Sequence, residues 1–142
     1  MNTLQIDRIL QRCRIPMYRG VYACDRMPSG PGLMVVNLDR GYKPGSHWVC
    51  VYISVDGRGE YFDTFGRPPV GLIKKYLYIN CTTWVYNKKQ LQSAVSKYCG
   101  HYCVLYCILR GRGINVNVFA SYFSSDTGLN DLIASKMLKS LR

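Results

Sequence analysis

His47-Trp48-Val49-Cys50-Val51-Tyr52-Ile53-Ser54 and Glu60-Tyr61-Phe62-Asp63-Thr64-Phe65 flank Asp56-Gly57-Arg58-Gly59, and this stretch decides the fold. The first run alternates, with His47, Val49, Val51 and Ile53 on one face of a strand and Trp48, Cys50 and Tyr52 on the other. Asp-Gly between two such runs is a strong hairpin signal. A hairpin pairing the His47 strand with the Asp63 strand would place those two side chains near the same sheet edge.

Working outward, Leu33 to Leu38 reads as a buried strand, and residues 40–46 as a turn or loop. Residues 14–31 carry Pro16, Gly20, Pro28, Gly30 and Pro31 and read as a long loop. Ile6, Ile9, Leu10 and Cys13 recur at i, i+3, i+4 and i+7, which predicts an amphipathic helix over 3–13. Beyond Pro68-Pro69 the pattern predicts a short helix over 70–78, a strand over 82–86 and a polar, partly basic loop over 87–97. Residues 98–110 form a helix apolar on every side, hence buried. Gly111-Arg112-Gly113 breaks it. Helices follow over 116–123 and 127–141, the last capped by Asp126 or Thr127. The expected class is α+β: a central, mostly antiparallel sheet packed against helices, in one domain spanning 1–142.

The chain has 142 residues, a formal charge of +11 and 48% apolar residues, enough for a core without staples. Residues 1–46 and 47–98 each hold seven basic and three acidic side chains, and residues 99–142 five and two. A positive field this dispersed favours salt-sensitive, nonspecific contact with polyanions such as DNA over a single groove-reading element. No apolar run is long enough to span a membrane and no secretion signal opens the chain, so no membrane partner is expected. Seven cysteines, an odd number, point to free thiols in a reducing compartment. With no C-x-x-C pair and only His47 and His101 as imidazoles, neither a metal nor an organic cofactor is expected.

Few residues remain for chemistry. A thiol nucleophile needs a base and an anion-stabilising donor. Cys99 follows a polar loop and opens the buried helix, where exposed N–H groups and the helix dipole favour thiolate. Gly100 leaves room beside it for backbone or substrate. His101, two residues on, points about 200° away, so His47 is the candidate base. Asp63 either orients His47 or is a strand-end aspartate bonded to backbone N–H groups. Gln92 offers an amide to an oxyanion, and Gln90 competes for that role. Cys103 and Cys107 share one stripe of the buried helix and read as packing residues.

The order and spacing of these residues resemble the adenovirus endopeptidase (adenain) family and its wider clan, the Ulp-type SUMO proteases. The likeness rests on Val36-Asn37 ten positions before His47-Trp48, on Phe62-Asp63-Thr64-Phe65-Gly66, and on Gln92 six intervening residues before Cys99-Gly100-His101-Tyr102-Cys103. It covers roughly residues 33–110, and residues 111–142 match no motif. Small proteases of this kind occur in DNA viruses of animals and in virus-like transposons. The resemblance implies a cysteine endopeptidase acting on viral capsid and core precursor proteins near glycine during virion maturation. Cys99 would be the nucleophile, His47 the base, Asp63 the third triad member and Gln92 the oxyanion donor, with Trp48 and Gly100 beside the substrate. It further implies an activating peptide disulfide-linked to Cys81, which lies eleven residues before Gln92, and DNA as a cofactor. A monomer in the host nucleus and the virion is the corresponding expectation. A deconjugating protease for a ubiquitin-like modifier and a non-catalytic basic nucleic-acid-binding protein are the alternatives.

Overall fold

Asn2 starts the first helix by a reciprocal cap. Its side chain accepts from the Gln5 N–H at 2.9 Å, and Gln5 Oε1 accepts from the Asn2 N–H at 2.8 Å, so two of the four orphan donors of a helix start are satisfied. Helix α1 runs Thr3–Arg12 and buries Ile6, Ile9 and Leu10, the face given by its periodicity. The computed structural model describes residues 1–39 and 47–141. The turn expected over 40–46 falls outside them.

The hairpin forms as its sequence dictates. Strands β3 (Trp48–Ile53) and β4 (Arg58–Phe62) pair antiparallel with Cys50 opposite Phe62 and Ile53 opposite Gly59. Gly57 sits at φ +85°, a left-handed conformation that glycine adopts without strain. Strand β4 starts two residues before Glu60 and ends at Phe62, which releases Asp63 from the ladder. Strand β2 (Gly32–Asn37) pairs antiparallel with β3 on its other side, Val35 opposite Cys50.

The edges differ from expectation. Part of the loop read over 14–31 is strand β1 (Tyr18–Ala23), parallel to β2. Its glycine and its short, half-buried run hid it, and the β2 edge recruits it all the same. Helix α2 (Gly71–Asn80) carries the chain to β5 (Thr83–Tyr86), which pairs parallel with β4 because a crossover returns the chain in the same direction. The sheet order is β1-β2-β3-β4-β5. The antiparallel arrangement thus holds at the centre, and the outer pairs are parallel, making a mixed five-stranded sheet.

Alternation along β3 splits the core between the two faces. Met34, Val36, Val49, Val51, Ile53 and Tyr61 pack with Ile73 and Leu77 of α2. Leu33, Val35, Trp48, Cys50 and Phe62 meet the remaining helices: α1, α3 (Cys99–Gly111), α4 (Val116–Ser121) and α5 (Thr127–Leu141). Helix α3 buries every residue from Tyr102 to Ile108. Asp126 caps α5 by accepting from the Leu129 N–H at 3.1 Å. The Cys50 and Cys107 sulfurs lie 3.8 Å apart, and the Cys103 thiol donates to the Trp48 carbonyl at 3.4 Å. Cys50, Cys103 and Cys107 are therefore packing groups between sheet and helix. All seven cysteines are free thiols.

Candidate active site

Asp63 is fixed first by its backbone. Just past β4, its N–H donates to Asn87 Oδ1 at 3.0 Å, and its carbonyl accepts from Asn87 Nδ2 at 2.6 Å. The turn closes with the Gly66 N–H on the Asp63 carbonyl at 2.8 Å. A Cβ on Gly66 would fall 2.8 Å from the Lys88 carbonyl oxygen and 2.9 Å from the Gln90 nitrogen, and its φ is +71°. Glycine is needed there for both reasons.

The Asp63 side chain, 2% exposed, has several partners. Oδ1 accepts from His47 Nε2 at 2.8 Å and from the Phe65 N–H at 3.0 Å, and Oδ2 lies 3.5 Å from Arg67 Nε. Both readings of this residue are realised: it is a strand-end aspartate and the partner of His47. Burial pushes its pKa up, but the His47 bond, the Phe65 N–H and the nearby charges outweigh it and hold the carboxyl below its ordinary range.

His47 immediately precedes β3 and stacks on Phe65, centroids 4.9 Å apart. Burial alone would lower its pKa. The Asp63 hydrogen bond and the interaction with Cys99 prevail and raise it to about 9. With Nε2 committed to Asp63, Nδ1 is the ring nitrogen available to the thiol.

Cys99 is the first residue of α3, and Tyr98 before it supplies no side-chain cap. The N–H groups at this helix start are therefore left for the sulfur or a ligand. Burial pushes the thiol up. His47, together with the backbone N–H groups of Trp48 and Gly100, overcomes that and brings it below the ordinary thiol value. Cys99, His47 and Asp63, from a helix start, a strand start and a strand end, thus form one interacting chain of groups.

Gln92, 1% exposed, is held on the residue following Asp63. Its Oε1 accepts from Thr64 Oγ1 at 2.5 Å, and its Nε2 donates to the Ser96 carbonyl at 2.9 Å, which leaves one amide hydrogen uncommitted. The competing Gln90 instead donates to the Gln92 carbonyl at 3.0 Å, a supporting position.

Trp48 is a core residue beside the site, 9% exposed. Beside the Gly100 Cα lie Met1 and α1: a Cβ there would meet Met1 Cβ at 3.2 Å and Ile6 Cδ1 at 3.3 Å. Its lack of a side chain lets the nucleophile helix approach this segment, and its N–H serves the sulfur. Cys81 caps the C-terminus of α2, half-buried, its sulfur against Gly59, and burial raises its pKa. His101 packs edge-on against Tyr98. Asn87 was missed by sequence reasoning, for it is one polar residue among several in a loop. Thr64, Phe65 and Gly66 lay inside the quoted motif, but their roles required coordinates. Among the described residues, no group of three or more His, Cys, Asp or Glu side chains is placed to hold a metal ion. No helix among them is long and apolar enough to cross a membrane.

No protein-family profile and no curated protein matches the chain. Among solved structures it is similar to the ASFV pS273R protease, with a TM-score of 0.64 and 18% identity over 94% of this chain. It spans 65% of that protease's length. It is also similar to the central domain of the uncharacterised Lpg1148 protein from Legionella pneumophila (TM-score 0.55, 11% identity, 95% of this chain and 96% of that one). A third likeness is to the SUMO protease Ulp1 with its catalytic cysteine oxidised to a sulfinic acid (TM-score 0.51, 13% identity, 97% of this chain and 78% of that one). The chain has the fold of these proteins, two of which are proteases, and the resemblance read from its sequence holds at the level of fold.

Proposed function

We propose that the chain is a cysteine endopeptidase. The observation that carries this reading is the linked Cys99–His47–Asp63 chain at the start of a buried helix. Asp63 stabilises the imidazolium and orients the ring. The imidazolium in turn holds Cys99 as thiolate in the resting site. The sulfur attacks the scissile carbonyl, and His47 passes its proton to the leaving amine. The acyl-enzyme is then hydrolysed by a water that His47 deprotonates. The oxyanion of each tetrahedral intermediate is received by the free hydrogen of the Gln92 amide and by backbone N–H at the helix start. The fold likeness to proteases supports protein substrates, and the motif resemblance extends the proposal to viral precursor proteins cut near glycine.

Release of a ubiquitin-like modifier is the second reading, favoured by the likeness to a SUMO protease over 97% of the chain. The fold likenesses support a protease of either kind, and the motif resemblance to the adenovirus endopeptidase family puts endopeptidase first. The test pairs glycine-containing precursor peptides with a panel of ubiquitin-like fusions, using wild-type protein and Cys99→Ala. Cleavage of the peptides alone, abolished by Cys99→Ala, is the expected result. Cleavage of only the fusions selects the second reading. No turnover of either, with Cys99 no more reactive at pH 6 than the other exposed thiols, rejects both.

A further inference from the structure

Helix α5 lies in the part of the chain that matches no motif, yet two adjacent buried polar residues on it grip the segment that carries Gln92. Asn130 is fully buried. Its Nδ2 donates to the Leu91 carbonyl at 3.1 Å and to the Ser124 carbonyl at 2.8 Å, while its Oδ1 accepts from the Ser124 N–H at 3.0 Å. Asp131, 6% exposed, accepts from the Tyr102 hydroxyl at 2.8 Å and from the Ser93 N–H at 3.4 Å. The residues on either side of Gln92 are thus tied to neighbouring positions of one helix. Tyr102 ties that same helix to α3, three residues after Cys99.

The segment is also tied to the residue after Asp63. The Leu91 N–H donates to the Thr64 carbonyl at 2.8 Å, and the Gln92 N–H to the same carbonyl at 3.2 Å. Residues 91–93 have no helix or strand of their own, so these bonds fix the backbone from which the Gln92 amide, itself bonded to Thr64 and Ser96, projects. Buried polar groups on a packed helix are costly unless bonded. Here each bond ends on the Gln92 segment, on the turn before α5 or on the nucleophile helix.

We infer that Asn130 and Asp131 are positioning residues for the oxyanion donor, acting on catalysis through Gln92. The inference rests on the reading of Gln92 as that donor in a cysteine protease. An amide held loosely contributes far less to a developing oxyanion than one held in place, because the ordering is then paid at the moment of reaction.

The test is a mutant cycle on peptide cleavage, with kcat, KM and the rate of Cys99 alkylation all measured. Asp131→Ala is expected to lower kcat about tenfold to hundredfold. KM and the alkylation rate, which needs no oxyanion donor, stay unchanged. In a Gln92→Ala background the same substitution should change kcat by less than about twofold. Asp131→Asn, which keeps an acceptor oxygen for Tyr102 and Ser93, should restore most of the loss. If Asp131→Ala does not fold, Tyr102→Phe carries the cycle, with a smaller kcat loss that again vanishes without Gln92. An equal kcat loss with and without Gln92, or no loss at all, overturns the inference while leaving the protease reading intact. A wild-type protein that cleaves nothing and has an ordinary Cys99 removes the protease reading and this inference with it.

Discussion

Replacing Asp63 by Asn removes the charge that keeps His47 protonated while preserving shape. The His47 pKa stands at about 9 against an ordinary 6.5. That difference of roughly 2.5 pH units corresponds to about 3 kcal/mol in favour of the imidazolium. Burial opposes it, so the Asp63 bond and the Cys99 interaction together supply more than the net figure. Without the carboxylate, burial is opposed only by the Cys99 interaction, and the ring falls back toward its ordinary value of about 6.5. At pH 7.5 its protonated fraction then falls from nearly complete to about a tenth. The thiolate loses its counter-charge, and the Cys99 titration moves up toward the ordinary thiol range. The assay is the pH dependence of iodoacetamide alkylation, read at the Cys99 peptide by mass spectrometry. Wild type should reach its plateau at lower pH than Asp63→Asn. Stability gives a second reading of the same pair. Because the folded-state pKa of His47 exceeds its unfolded value, the protonated ring stabilises the fold fully below about pH 6.5. That contribution disappears as pH rises toward about 9. The carboxyl of Asp63 is depressed instead, so its contribution is present above its unfolded value and is lost as pH falls through the lower folded one. The lowered Cys99 thiol contributes with the opposite sign over the same window, so the comparison is made in a Cys99→Ala background. There, denaturant midpoints should decline as pH rises above 6.5 with Asp63 present and stay flat with Asp63→Asn. Superimposable alkylation profiles for the two proteins would refute the reasoning.

Gln92→Ala should reduce kcat by about 10²–10³-fold on a peptide substrate, the usual loss for one oxyanion donor. Gln90→Ala, which removes only a brace on the Gln92 carbonyl, should cost less than tenfold, and the reverse order would exchange their roles. Gly66→Ala places a methyl against the backbone of residues 88–90 in a left-handed turn. A stability loss of about 1–3 kcal/mol in urea melts is expected, with weakened peptide cleavage at temperatures where the protein stays folded. Asn87→Ala leaves the Asp63 N–H without its partner, while the Asp63 carbonyl keeps the Gly66 N–H. Its expected cost is about 1–3 kcal/mol by the same melts, chiefly from one unsatisfied buried donor.

Much of the site was legible because its chemistry depends on residue type and local position. A thiol at the head of an apolar helix, an imidazole at the head of an alternating strand and a carboxylate at the end of its hairpin partner each stand out locally. Hairpin register then brings the last two together across the sheet. The neighbours of Gly100 were not legible, because an absent side chain looks the same whether substrate or the N-terminal segment lies beside it.

Composition, hydrophobic period and turn residues by themselves determined the α+β class, the hairpin, the buried helix and the set of reactive groups. These signals act over a few residues, and burial enforces them wherever the chain folds. Tertiary structure alone decided the parallel edge strands, the pinning of Asp63 by Asn87 and of the Gln92 segment by Asn130 and Asp131, and the ring nitrogen that serves each partner of His47. Those outcomes join residues 24 to 39 positions apart, or settle which strand an edge recruits. Polar side chains carry no periodic signature, so their partners are defined only once packing has brought the elements together.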